Sequence, residues 1–121
     1  MDREQALHRF WSSFGLSAWD ENAVPSGSEL PYLTYSVATA EMGEDVLLGA
    51  SVWYHSSSWG AITQKVEEIG SAIGKGGILL PYRNGRLWIR KGSPFSQRMG
   101  DPDDPMIRRI YLNIVAEYLE D

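Results

Sequence analysis

MIRRIYLNIVAEYLE, residues 106–120, can be read in two ways, and the choice decides the fold. Ile107, Ile110, Tyr111, Ile114, Val115, Tyr118 and Leu119 recur at i, i+3, i+4 and i+7, the spacing of an amphipathic helix. Ile110, Leu112, Ile114, Ala116 and Tyr118 fit the strict alternation of a half-buried strand equally well. Periodicity alone does not separate the two. Composition favours one of them. Ile, Tyr and Val dominate, and such side chains lose rotamer freedom in a helix but pack well on a pleated surface. The stretch is therefore read as a strand, with a helix as the alternative.

Immediately before it lies KGSPFSQRMGDPDDPMIRR, residues 91–109, with mixed charge, several prolines and no apolar period. Connections this long without structure of their own are uncommon in compact domains and usually carry function or disorder. It is read as a long polar loop. Upstream, ILLPY and RLWIR flank Arg83-Asn84-Gly85, and Asn-Gly between apolar runs predicts a hairpin with a type I′ turn. Pro81 donates no ladder bond, so it belongs at an edge or facing outward.

Working toward the N-terminus, Trp59, Ile62, Val66, Ile69 and Ile73 fall on one face of a predicted helix. Ser58 is its expected cap, and Gly74, Lys75, Gly76 and Gly77 end it. VLLGASVWYHS, from Val46, and YLTYSVAT, 32–39, read as paired strands, joined by a polar connection at 41–45. Residues 15–31 read as a loop with Trp19 pinned to the core. Asp2 and Gln5 form a capping-box pattern ahead of Ala6, Leu7, Phe10, Trp11 and Phe14, the apolar stripe of a first helix. The expected fold is α+β over a single domain, 1–121. Its mostly antiparallel sheet of about five strands packs against helices, in the order α-β-β-α-β-β-(long loop)-β.

The chain has 121 residues, no cysteine and a formal charge of −5, an overall balance that argues against a general nucleic-acid binder. No apolar run approaches the roughly 18 residues of a membrane span. The N-terminal residues resemble neither a signal nor a transit peptide, and synthesis in the cytoplasm is expected. Charge is unevenly spread: residues 1–82 hold ten acids and four bases, and residues 83–109 hold seven bases and three acids. Unlike patches of this kind favour head-to-tail association of copies.

Catalytic and metal signatures are missing from the sequence. His8 and His55 belong to no metal-ligating pattern. GSAIGKGG, 70–77, departs from the phosphate-loop spacing and closes a helix instead of opening one, which suits a C-cap. Asp101, Asp103 and Asp104 lack the frame of a calcium loop and read as turn chemistry. Glu67 and Glu68 point in different directions from one helix. Trp11, Trp53 and Trp59 occupy apolar positions and are assigned to the core, leaving Trp19 and Trp88 as candidates for exposure. Neither enzyme activity nor a cofactor is expected.

LPYLTYSV, WYHSSSW, the glycine-led hairpin with LWIRKGSPFSQRM, and the terminal DDPMIRRIYLNIVAEYL together resemble the tail terminator (tail completion) proteins of long-tailed phages and prophages. The sharpest parts are PYLTY at 31–35, SxSWxxI at 56–62, and the 91–109 segment with its RR-I-x-L-x-I continuation. The resemblance implies an α+β fold whose last element is a strand. It also implies a six-membered ring at the head–tail junction of the virion, made in the bacterial cytoplasm, that caps the finished tail tube and meets the head connector. The implied partners are copies of itself, the tail tube protein and the connector. In that setting the 91–109 segment is expected to reach a neighbour through Phe95, Arg98 and Met99, with Arg90, Lys91, Arg108 and Arg109 as positive charge at its base. Head completion proteins share these features and are the alternative within the same gene cluster. A small prophage-encoded ligand-binding module is the alternative of another class.

Overall fold

Two helices and seven strands succeed one another in the computed structural model, which describes residues 1–38 and 43–120. They are α1 (Arg3–Ser12), β1 (Ser17–Asp20), β2 (Tyr32–Tyr35), β3 (Asp45–Leu47), β4 (Ala50–His55), α2 (Gly60–Ile73), β5 (Ile78–Tyr82), β6 (Gly85–Met99) and β7 (Ile107–Glu120). Thr39, the last residue of the predicted first strand, and Glu41 and Met42 of the predicted 41–45 connection lie outside the described residues.

The terminal stretch is a strand throughout. Ile110, Leu112, Ile114, Ala116 and Tyr118 are buried and the residues between them half-buried, as alternation requires. Both of its edges are used. β4 pairs with residues 107–112 and β3 with 115–117 on one side, while β6 runs antiparallel along the other. The strand order is β1-β2-β4-β7-β6-β5, and the sheet curls into a half-barrel. Pairing is antiparallel except between β1 and β2, which run parallel.

The expected count of about five strands is too low. β1 sits inside the segment read as loop, where four residues are too few to show a period. The run from Val46 divides in two at Leu48-Gly49. A Cβ on Gly49 would fall inside the phenol of Tyr111, which crosses the backbone there, so any larger residue would have to displace that ring.

The larger correction concerns 91–109. It is mostly strand: β6 continues to Met99, pairing Ser96, Gln97, Arg98 and Met99 with Leu112, Tyr111, Ile110 and Arg109. Only the short connection between β6 and β7 is left as a loop. β6 regains register through a large irregular bulge, since Lys91 faces Ile114 and Ser96 faces Leu112. Asn113, opposite the bulge, donates through its side-chain amide to Pro94 O (2.8 Å) and Gln97 Oε1 (3.1 Å).

Both helices pack on the face of the sheet that carries Leu33, Val52, Ile110, Leu112, Ile114, Leu87 and Ile89. α1 starts with the predicted capping box between Asp2 and Gln5, and it touches both edge strands, β1 and β5. α2 lies against β4, β6 and β7. Ser58 is not its cap: Trp59 holds that position, and the Ser58 Oγ accepts only a long 3.4 Å bond from Gly60 N–H. Gly74, with φ +73°, ends the helix as predicted.

The hairpin also differs in detail. Tyr82 pairs with Gly85, so Arg83 and Asn84 are the turn residues. No non-glycine among the described residues has positive φ, and the type I′ turn does not form. Gly85 serves close approach instead, because a Cβ there would collide with the backbone of Leu119 and Glu120. Pro81 is exposed on the edge strand, as expected.

Urea unfolding should show the alternation energetically. Leu112→Ala, at a fully buried position, is expected to cost about 2–5 kcal/mol. Leu47→Ala, 76% exposed, should change stability by less than about 0.5 kcal/mol.

Candidate assembly surface

Because both helices occupy one face, the other face of the sheet carries the alternate residues of every strand. Cross-strand register arranges them in rows. Tyr32, Trp53, Arg109 and Met99 lie side by side across β2, β4, β7 and β6. Trp19, Thr34, Ser51, Tyr111 and Gln97 form the next row, beginning on β1. Further along, Leu47, Val115 and Arg90 align, followed by Asp45, Glu117, Trp88 and Leu79.

Hydrogen bonds and stacking hold these side chains in place. Trp53 Nε1–H donates to Thr34 Oγ1 at 3.0 Å, and Arg109 Nε–H donates to Ser51 Oγ at 3.0 Å. The Arg109 guanidinium lies 4.6 Å from the Trp53 ring centre, a cation–π distance. Arg90 stacks 4.1 Å over Trp88 and bonds Asp45 at 2.7 Å, with Glu117 at 3.9 Å. Trp88 Nε1–H in turn donates to Gly76 O. Leu47, Leu79 and Met99 supply exposed apolar surface, at 76%, 48% and 40%. Ordered and mixed in character, the face suits contact with another protein.

The seven residues singled out from the sequence divide between the two faces. Arg90, Met99 and Arg109 belong to the uncovered face just described. Lys91, Phe95, Arg98 and Arg108 lie on the helix side. Phe95, carried by the bulge, packs toward Gly70 of α2, where an added Cβ would sit 3.2 Å from its ring. Lys91 rests 5.2 Å from the Phe95 ring. Arg98 and Arg108 converge on the Trp59 ring, at 4.7 and 5.2 Å, and Arg108 also donates to Pro105 O and Ser57 O. Phe95 thus makes contacts within its own chain, while Lys91 and Arg98 stay exposed.

Three of the face's aromatic side chains, Trp53, Tyr32 and Tyr111, were missed in the sequence. Trp53 was assigned to the core, yet it shares parity with Ser51 and His55, and that parity places it outside. Tyr32 and Thr34 carry the same signal within YLTY. Tyr111 was hidden by the helical reading. Trp19 is half-buried but stands on the uncovered face and is not pinned to the core as expected, and its indole N–H finds no partner among the described residues.

The aspartates of the 100–106 connection act as turn formers. Asp101 Oδ1 accepts from the N–H groups of Asp103 (2.8 Å) and Asp104 (3.2 Å). Asp104 accepts from Met106 N–H and lies 3.1 Å from His55 Nε2, tying the connection to the end of β4. Among the described residues no group of three or more potential ligands is placed to hold a metal ion.

No protein-family model matches this chain, and neither does any curated protein. Among solved structures, it is similar to a chain from the virion of a native gene transfer agent particle. The TM-score is 0.54 and the identity 20%, with 95% of this chain and 90% of that one covered. The two share a fold over nearly their whole lengths.

The Met106 N–H, and after it His55, hold the Asp104 carboxyl below the ordinary aspartate value. A depressed folded-state value means that this contact stabilises the fold above the unfolded-state pKa and stops doing so as pH falls through the folded one. NMR titration should therefore find Asp104 with a midpoint below the ordinary aspartate value. His55→Ala should raise that midpoint only part of the way, since the backbone donor remains.

Proposed function

We propose that the protein is a structural component of a phage-like virion, and specifically a tail terminator. In this reading it forms a ring, expected to be hexameric, that caps the completed tail tube at the head–tail junction and meets the head connector. It performs no catalysis. The observation that carries the reading is the likeness of fold, over almost the whole of both chains, to a chain of a gene transfer agent virion. The sequence resemblance in PYLTY, SxSWxxI and the β6–β7 region points the same way.

Two features of the molecule support a role in assembly. The uncovered sheet face offers exposed Leu47, Leu79 and Met99 among ordered aromatic and arginine side chains, a composition common in protein interfaces. A ring requires two different, mutually complementary patches on one subunit, and the uneven charge supplies unlike surfaces.

Electron microscopy of particles from an induced prophage lacking this gene tests the proposal. Overlong, irregular tubes detached from filled heads are expected. Normal tails with heads that leak or fail to join would assign the protein to head completion instead. Unchanged virions would remove both roles.

A further inference from the structure

α1 stands between the two edges of the sheet, and its flanks differ in charge. On one flank it meets β1 and β2: His8 Nδ1 lies 3.1 Å from the Tyr35 hydroxyl. The carboxylates there are Glu4 on the helix, Asp20 at the end of β1, and Glu21 and Glu29 in the following turns. Both Glu4 and Asp20 are close enough to add to the effect of burial in raising the pKa of Tyr35. Glu4, Glu21 and Glu29 are exposed, and among the described residues none of these four carboxylates forms an ion pair.

The other flank meets β5 and carries bases. Arg9 on the helix and Arg83 at the hairpin tip are exposed, and among the described residues they have no carboxylate partner, whereas Arg86 shares the parity of Trp88 and Arg90 and points to the uncovered face. Between α1 and β5 opens a cavity of about 340 Å³ lined by Met1, Ala6, Phe10, Leu80 and Pro81, with Arg9 at its side. It is a largely apolar recess with one base, Arg9, in its lining, and Arg83 lines the neighbouring groove at the hairpin tip with Arg3, Asp2 and Glu120. Arg83 N–H donates to Met1 O at 2.7 Å, which fixes the hairpin tip against the start of the helix.

The acidic flank presents a matching shape. Residues 21–30 are folded by local bonds: Ala23 N–H donates to Asp20 O, Asn22 N–H to Asp20 Oδ1, and Ser28 N–H to Pro25 O. These turns hold out Ala23 and Pro25, exposed and apolar, between Glu21 and Glu29. Pairing of strand edges is a poor alternative, because Pro81 removes a donor from β5 and β1 has only four residues. Contact between the flanks therefore falls to side chains.

We propose that copies of this chain associate head to tail through the two flanks of α1. The 21–30 turn of one copy seats Ala23 and Pro25 against the α1–β5 cavity of the next, with Glu21 and Glu29 facing Arg9 and Arg83. The proposal rests on the ring reading above and names the contact that builds the ring. The contact is heterologous, so it can repeat around an axis, and its charged part weakens with salt.

Sedimentation of the full chain at low ionic strength tests it, using two charge-reversed double variants at exposed positions. Arg9→Glu with Arg83→Glu, and Glu21→Arg with Glu29→Arg, should each melt as the wild type does. Each alone should self-associate at least about tenfold more weakly, because like charges then face one another. An equimolar mixture should recover the oligomer, since each variant restores complementarity at the other's altered flank. Variants that associate as the wild type does, or a mixture that recovers nothing, would overturn this contact and leave the ring reading standing. A wild type and a mixture that both stay monomeric at millimolar concentration would overturn both.

Discussion

The structure depends on one strand being paired along both of its edges. β7 supplies the ladder on which β3 and β4 hang from one side and β6 from the other. In the central strand of a sheet every backbone donor and acceptor is engaged, and alternate side chains are committed to opposite faces. Ile110, Leu112, Ile114, Ala116 and Tyr118 thereby define the floor on which α1 and α2 pack. A slip of one residue would bury Arg109, Asn113 and Glu117 in their place, so the hydrophobic alternation fixes the register.

The same commitment creates the surface on the far side. Arg109, Tyr111, Val115 and Glu117 are carried outward because their neighbours are carried inward, and all but Val115 then meet a neighbour on that face. Arg109 is held by Ser51 and Trp53, Tyr111 lies over Gly49, and Glu117 stands beside Arg90. Ordering these side chains in advance reduces the entropy that would otherwise be lost when a neighbour docks. Asn113 has a different task. It bridges the β6 bulge, and the bulge brings Phe95 back onto α2, so the polar end of β6 stays attached to the body of the protein.

Much of this was legible in the sequence, and the exceptions have physical causes. The apolar alternation of 110–118 and the helical stripe of α2 are strong because a buried face leaves a period. The capping box of α1 was visible for a similar reason: it is a local pattern of two side chains. Residues 96–99 left no such trace. Ser96, Gln97, Arg98 and Met99 are all exposed, and their strand conformation comes from pairing with β7, which lies across the connection in sequence. β1 is short and pairs in parallel through a long intervening turn, which a local pattern cannot report. Of the seven candidate surface residues, the arginines were visible as charge. Their division between two faces required the register, and so did the placing of Trp53 and Tyr111 outside.

Hydrogen exchange across residues 91–112 of the isolated protein tests most directly whether β7 organises this region. Slow exchange in 96–99 together with 109–112, separated by fast exchange in 100–106, is the result predicted by a continuous β6–β7 ladder. Fast exchange from 91 through 106 would contradict it. The polar segment would then be a free loop, and the ordered face and the bulge contacts built on it would not exist in the unassembled protein.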